Sequence, residues 1–535
     1  MSRSGSRAER RAAARASWRR PPLPLWAALL AAVAGGLLLD AAFPSLGIWP
    51  LAFVAIALQL IALIGRRAWS ALLVGAAFGA AFYLPHISWL DHFLGDDPLR
   101  WVPWVALAVV ESVFTGAGAV LISLGYRVTD RWRGWLRIAA VPALIAGLWT
   151  LRENIIGSWP YGGFAWGRIG MVVADAGVAR VASWVGVAGL SFLLVAVCAL
   201  AIELVRVYRR EGRTLSVPSA VLAPVPLAGL LVVLFTMPAF PTAPSGTLSV
   251  AAVQGNGPTA YLDDREYLDA GRAQLEASGG VADADVDVVL WPEGALGGDP
   301  RGEAQANALA SAAELIYGAP VLLNAASAEG DDIYNMSMLW EGGAPTQTHS
   351  KRHPVPFGEY VPERAIFERI VPSLIGMLQR EYTAGTDSPV FDVAGARVGL
   401  AICFDVISDS LIREGIDGGA QAFMFQTNNA DFRGTDENLQ QLAFARMRAV
   451  ETGRTVVNLS TVGVSEIIAP DGTTIDRIGT DEAGTMIADV ELRDGRTAAV
   501  VIGPWLSLLV SWGAFGALIV IALARRERGS AAPGA

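Results

Sequence analysis

The chain is poor in cysteine, in histidine and in charge. Two cysteines occur in 535 residues, Cys198 and Cys403, so no disulfide framework holds the fold. The four histidines, His86, His92, His349 and His353, show no cysteine–histidine spacing of the metal-binding kind, and no metal is expected. No glycine-rich phosphate loop ending in Gly-Lys-Ser/Thr occurs, and no dissociable cofactor is expected. Charged residues make up 17% of the chain and hydrophobic ones 53%, with a mean hydropathy of +0.42. Soluble domains carry about 25% charge, so the composition is that of a membrane protein. The net charge is −9 and the polar part has no large basic patch, which argues against a nucleic-acid partner.

The apolar residues crowd into Pro21–Met237 and again into Val500–Ala524. About 20 apolar residues are needed to cross a bilayer as a helix. Eight such runs are expected, at 23–43, 46–65, 68–89, 101–125, 136–151, 183–205, 216–238 and 500–524, the fifth being the shortest. Arginines cluster in the tail (Arg3, Arg7, Arg10, Arg11, Arg15, Arg19, Arg20), after the second run (Arg66, Arg67), after the fourth (Arg127, Arg131, Arg133), after the sixth (Arg206, Arg209, Arg210, Arg213) and after the eighth (Arg525, Arg526, Arg528). All fall on one side if the N-terminus is cytoplasmic, which predicts a plasma (inner) membrane protein with both termini in the cytoplasm. Seven runs then carry the polar block outside the cytoplasm. The expected organisation is a basic tail at 1–22, a seven-helix membrane domain at 23–238, a catalytic domain at 246–497, a last span at 500–524 and a tail at 525–535. Between the fifth and sixth runs, Trp159, Tyr161, Phe164 and Trp166 suit the membrane interface or a lipid site.

The polar block alternates apolar strands with helices, the pattern of an α/β layered domain. Several strands end in a polar or reactive residue: Glu293 after VVLWP, Cys403 after GLAI, Asn428 after AFMFQT. In open α/β sheets, sites are built at the carboxyl ends of strands. A cysteine nucleophile works as the thiolate and needs a base or a nearby cation. His349 and His353 are within the block and either is available by spacing. A carboxylate with a lysine would serve instead: Glu293 to take the proton, Lys351 to stabilise thiolate and oxyanion. Read singly, each has a bland role as a buried thiol, a turn acid or a solvated lysine.

Together the segments VVLWPEGA, KRHPVPFGEYVP and GLAICFDV resemble the three catalytic segments of the nitrilase superfamily. The second segment, with apolar spans on both sides, looks like the apolipoprotein N-acyltransferase family. VQGN (Val253–Asn256) and FARMRAVETGR (Phe444–Arg454) match it as well. The resemblance implies an eight-span membrane domain with an extracytoplasmic nitrilase-like α-β-β-α sandwich. It makes Cys403 the nucleophile, Glu293 the general base, Lys351 the charge stabiliser and Glu359 a supporting glutamate. Phe404 and Asp405 stand where the family often has tyrosine and glutamate. TNNADFRG (Thr427–Gly434, with Asn428) lacks the family's tryptophan, as does GPTAYLDD after VQGN. Both segments are expected near the acyl-chain site.

The implied reaction moves an acyl chain from a phospholipid through a thioester on Cys403 to the N-terminal amine of a diacylglyceryl-cysteine lipoprotein, with ping-pong kinetics. Two other readings compete: a membrane-tethered amidase, and an inactive scaffold for a partner such as a glycosyltransferase of lipid-linked sugars. Ile366–Leu378 is expected to face the bilayer or to form an ordinary core helix, with Pro372 favouring a broken lid.

Overall fold

A proline-rich entry, Pro21-Pro22-Leu23-Pro24, delivers the chain into the first apolar helix, α1 (Leu25–Ala42), with Pro24 at its N-cap. The structure is a computed structural model that describes residues 20–211, 222–264, 266–378 and 380–530. The tail arginines up to Arg19, Arg213, the start of the seventh expected span and the last five residues lie outside the described residues.

Among the described residues seven more apolar helices follow the runs: α2 (Leu51–Leu63), α3 (Ala68–His86), α4 (Trp101–Val128), α5 (Gly134–Ile156), α6 (Ala182–Glu211), α7 (Val225–Thr236) and, last in order, α14 (Ala498–Ser530). Among the described residues six are long and apolar enough to cross a membrane. At 1.5 Å per residue, the 13 residues of α2 and the 12 of α7 fall short of a bilayer core. The fifth run is longer than its hydropathy indicates, because α5 continues through Arg152 and Glu153 to Ile156. These two polar residues are buried and each has a partner: Arg152 Nη1 donates to Tyr83 Oη (3.2 Å) and Trp149 Nε1 to Glu153 Oε1 (2.8 Å). Small residues let the helices close up without a hydrophobic drive in lipid. A Cβ on Gly36 of α1 would lie 2.5 Å from the Phe78 carbonyl of α3, and one on Gly75 would lie 2.4 Å from Ala119 Cβ of α4.

The described residues of the polar block form two six-stranded sheets. The first contains β1 (Ala243–Gln254), β2 (Val288–Leu290), β3 (Val321–Glu329), β4 (Asp332–Glu341), β5 (Ala344–Ser350) and β12 (Gly484–Asp494), in the order β12-β1-β2-β3-β4-β5. The second contains β6 (Val390–Val393), β7 (Ala396–Ile402), β8 (Ala422–Thr427), β9 (Thr455–Ser460), β10 (Ser465–Ile468) and β11 (Thr474–Ile478), in the order β11-β10-β9-β8-β7-β6. Each has a parallel centre, β1-β2-β3 and β7-β8-β9, flanked by antiparallel strands. Alternate residues serve different cores, as a strand's period of two requires. Val250, Leu290, Leu400 and Met424 pack between the sheets. Ala251, Val289 and Trp291 face α8 (Asp269–Ala277) and α9 (Ala304–Tyr317).

Two short helices, α10 (Arg364–Ile370) and α11 (Pro372–Ile375), come after β5, and the other helix layer is α12 (Asp409–Asp417) and α13 (Glu437–Thr452). It covers Ala401, Phe423 and Phe425 of the second sheet and shares one continuous apolar core with the membrane helices. The α-β-β-α sandwich therefore stands on the bundle by one helix layer. An ion cluster built on two buried arginines pins the junction. Arg168, between α5 and α6, donates to Asp409 (2.8 Å), which also accepts from Arg448 of α13 (2.7 Å). Arg448, fully buried, also donates to the carbonyls of Val406 and Ile407 (2.9 Å each) and to Glu451 (2.6 Å). Burial alone would raise the Asp409 carboxyl, but the two guanidinium groups outweigh it and hold it far below its ordinary value. Arg448→Met takes the guanidinium from Glu451 and from two buried carbonyls and leaves Asp409 to Arg168 alone. The expected loss of stability is on the order of 3–5 kcal/mol. It is read from thermal unfolding in detergent; an unchanged midpoint would contradict this role.

Candidate active site

The parallel, buried strand β7 ends at Ile402, and the chain turns at once. Cys403 sits at φ 51°, a left-handed conformation that a side chain bearing Cβ adopts at a cost of roughly 1–3 kcal/mol. A 3₁₀ turn over Cys403–Ile407 follows and leaves the thiol half-buried at the sheet's edge. Asp405, fully buried, ties the turn to the loop after β5. It accepts from the backbone N–H of His353 (2.8 Å) and of Arg352 (3.2 Å), and pairs with His353 Nδ1 (2.9 Å). Burial would raise this carboxyl, but His353 and Lys351 bring it below the ordinary range.

That loop begins with Lys351, directly after β5 and 1% exposed. Its Nζ donates to Glu293 Oε1 (3.1 Å) and Glu359 Oε1 (2.8 Å). Glu293 follows β2, before Gly294 at φ 67°, whose N–H is held by Asn324 (2.7 Å). Glu359 is set by a tight turn in which Val355 N–H donates to its Oε2 (2.6 Å). Asn335 on β4 joins both acids, at 2.6 Å to Glu293 and 3.5 Å to Glu359.

The charges of Glu293, Lys351 and Glu359 all act on Cys403. Burial pushes the thiol well above its ordinary value; Glu293 adds to the shift and Lys351 opposes it. Burial also raises the Glu293 carboxyl, against Lys351 and with Glu359. Burial alone would lower the Lys351 ammonium, but the two glutamates outweigh it and hold it well above its ordinary value. The surroundings therefore favour the thiol over the thiolate, favour the ammonium at Lys351 and raise the basicity of Glu293. Moving the thiol proton to that carboxylate beside a fixed cation is the step such an arrangement favours.

Glu293, Lys351 and Glu359 are thus in direct contact, with Cys403 in their field. Phe404 packs parallel to Trp166 at 6.3 Å. Asn428 bonds Thr259 and Thr461 rather than any of the four. The two histidines are occupied elsewhere, His353 by Asp405 and His349 by Asp387 (2.9 Å). The two tryptophan-lacking segments meet: Tyr261 N–H donates to Asp431 (2.7 Å), and Phe432 packs on Trp89 of the membrane half at 5.0 Å. Residues not anticipated from sequence are Asn335, Asn429, Glu437 and Gln441; Asn335 and Gln441 meet Glu293 and Cys403 from far away in the chain, while Asn429 and Glu437, eight residues apart, pair across the start of α13. One signal was available for Lys351: it is the sole lysine of the chain.

Glu437 opens α13 with 3% exposure and takes a hydrogen bond from Asn429 (2.6 Å). Burial pushes its carboxyl up to about 8, with Asn429 opposing and Glu293 adding. An acid raised on folding costs stability once ionised, so stability falls as pH rises from about 4.5 through 8. Glu437→Gln keeps the acceptor and removes the charge. The variant is expected to show a flatter dependence of melting temperature on pH between 5 and 8; parallel curves for both proteins would refute this.

Residues 35–200 match the family model of the apolipoprotein N-acyltransferase N-terminal domain, and residues 249–500 match that of carbon-nitrogen hydrolase. A Mycolicibacterium smegmatis protein named apolipoprotein N-acyltransferase is 31% identical over 92% of this chain and 85% of its own length. One of the same name from Azotobacter vinelandii is 29% identical, over 96% of this chain and 98% of its own. A solved amidase from Nesterenkonia sp. is 20% identical, covers 47% of this chain and 92% of that one, and has a TM-score of 0.35.

Proposed function

The chain belongs to the apolipoprotein N-acyltransferase family, and we propose that it moves an acyl chain from a phospholipid, by way of a thioester on Cys403, to the N-terminal amine of a diacylglyceryl-cysteine lipoprotein. The observation that carries this is the Lys351 ammonium clasped by Glu293 and Glu359 in the field of a cysteine at a left-handed turn. Glu293 takes the thiol proton. The sulfur attacks the acyl carbonyl, and Lys351 with the Phe404 backbone N–H stabilises the oxyanion. As the intermediate collapses the ester C–O bond breaks, and the proton passes from Glu293 to the departing lysophospholipid. The acceptor amine then attacks the thioester, an amide C–N bond forms, the C–S bond breaks, and Cys403 regains its proton.

The chain is a multi-pass membrane protein, and the arginine clusters support cytoplasmic termini, an inner-membrane location and a catalytic domain on the opposite side. We assign the membrane domain to 23–238, the catalytic domain to 246–497 and the last span to 500–524. A site fixed at that leaflet lets acyl chains reach the sulfur without crossing water.

The test is a thioester trap with a phospholipid carrying an alkyne-tagged acyl chain. Label on Cys403 that hydroxylamine releases, absent in Cys403→Ala and Glu293→Ala, is the expected result. With a single lysine in the chain, label that resists hydroxylamine has few places to sit and is easily told apart. Folded protein that takes no label from any phospholipid would overturn the donor step.

A further inference from the structure

We propose that Gln441 is a positioning residue for the nucleophile, donating its side-chain N–H to Cys403 Sγ, and that the membrane half of the chain sets it through the adjacent Gln440. The catalytic roles come from the preceding section, and the inference rests on that reading.

Gln441 Nε2 lies 3.5 Å from Cys403 Sγ, and Gln441 is 2% exposed. Its orientation is fixed by the groups around it. Gln441 Oε1 accepts from Asn429 Nδ2 (2.7 Å), which leaves its amino group for the sulfur. Asn429 is itself held on both sides: its Nδ2 also donates to Glu437 Oε2 (2.6 Å), and its Oδ1 accepts from Ser460 Oγ (2.6 Å). Ser460 Oγ already accepts from the N–H groups of Gly463 (2.9 Å) and Val462 (3.4 Å), so its own proton goes to Asn429 Oδ1, and a reversed Asn429 would lose that bond and set its oxygen against the Gln441 oxygen. A donor at sulfur favours the thiolate over the thiol.

Gln440, 4% exposed, points the other way from the same turn of α13. Its Oε1 accepts from Trp166 Nε1 (2.7 Å) and Trp89 Nε1 (3.1 Å), and its Nε2 donates to the His86 carbonyl (3.0 Å). Both tryptophans and His86 belong to the membrane half. The Trp166 ring also packs parallel to Phe404, the neighbour of Cys403. The membrane half therefore grips the nucleophile's turn through Phe404 and its hydrogen-bond donor through Gln440. The bundle is in this sense part of the site's support as well as its anchor.

The test is the pH dependence of Cys403 alkylation by iodoacetamide in the full chain in detergent, read by peptide mass. The charged and titratable groups facing the sulfur are Glu293, Lys351, Glu359 and Glu437, and all are kept. Gln441→Ala is expected to move the alkylation midpoint up by about one pH unit and to lower kcat/KM about tenfold, the size of one lost hydrogen bond to a charged group. Gln441→Glu keeps the length and the acceptor for Asn429 but puts an oxygen at the sulfur, and is expected to do worse than alanine. Gln440→Leu, which touches no sulfur, is expected to slow alkylation about threefold, a coupling of the size carried by packed neighbours. If Gln441→Ala and Gln441→Glu melt like the parent and their alkylation profiles superimpose on it, the positioning role is wrong. A lower melting temperature with an unmoved midpoint overturns it too, leaving Gln441 as packing alone. A parental profile for Gln440→Leu removes the membrane's share. Alkylation needs no lipid, so a shifted midpoint without any lipid thioester would sink the acyl-donor reading and leave this one standing.

Discussion

Cys403→Ala is expected to fold, remain in the membrane and form no acyl-enzyme. The side chain is half-buried at the end of β7, so its loss opens little core. Alanine meets the same left-handed φ of 51° as the cysteine it replaces, so the strain of the turn is unchanged. What disappears is the atom to which the proposed mechanism attaches the acyl group. Glu293, Lys351 and Asn335 keep one another's hydrogen bonds, and the fixed dipoles around the carbonyl survive. That residue of catalysis is small: when a nucleophile is removed from a covalent mechanism the rate falls by about 10⁴-fold or more. Cys403→Ser is a sharper form of the same experiment. Its hydroxyl is of similar size, but a carboxylate that can ionise a thiol is too weak a base for an alcohol. The serine variant is therefore expected to match alanine in acyl transfer while keeping a polar partner for Gln441. Transfer and hydroxylamine-sensitive label are measured together, with a melting curve as the control for folding. An alanine variant with a tenth of parental turnover would exclude the thioester route.

The parts of the fold that sequence exposes are those whose residues are buried on every side. Strands β2, β7, β8 and β9 are buried along almost their whole length, Arg397 of β7 excepted, because sheet and helix layers cover both faces, and after the apolar runs of β2 and β7 a charged or reactive residue stands out. Glu293 and Cys403 are visible for this reason. Strand β5, APTQTHS, is half exposed and polar, lies at the sheet's edge, and carries no such mark. The four residues of β6 are too short for a pattern, and β12 is recognised only by its long antiparallel pairing with β1. Helix lengths in the membrane half follow the same logic. Hydropathy stops the fifth run at the buried Arg152 and Glu153, to which Tyr83 and Trp149 give hydrogen-bond partners inside the bundle while the helix goes on. The amides that support the site are the least legible. Asn335, Asn429 and Gln441 are ordinary polar residues until folding brings Glu293, Glu437 and Cys403 to them. The resemblance in GLAICFDV, VVLWPEGA and KRHPVPFGEYVP points to the reacting groups, and the supporting amides are seen only in three dimensions.

Lys351→Met is expected to be nearly as damaging as loss of the cysteine, for a different reason. The ammonium is 1% exposed and is the counter-charge of two buried carboxylates at 3.1 and 2.8 Å. Without it Glu293 and Glu359 share a low-dielectric site as like charges, and at least one takes up a proton. If that one is Glu293, the base is lost together with the cation. Removing a fixed positive group near a developing oxyanion costs about 10²–10³-fold alone. Loss of the base adds to this, so a fall beyond about 10³-fold is expected. The sign of the pH effect follows from the same charges. Lys351 is held well above 10.5 in the parent, so it stays charged throughout the working range. In the variant the carboxylate pKa rises, and whatever activity remains should need a higher pH than the parent's. Lys351→Arg is not expected to rescue, because a planar guanidinium does not fit a site closed around a single nitrogen. The informative partner is Glu359→Gln, which removes the second negative charge. In the double variant Lys351→Met with Glu359→Gln, stability and the acidic limb of the pH profile should move back toward the parent while turnover stays low. If turnover returns as well, Lys351 serves only to neutralise the acids, and stabilisation of the oxyanion must come from the backbone alone.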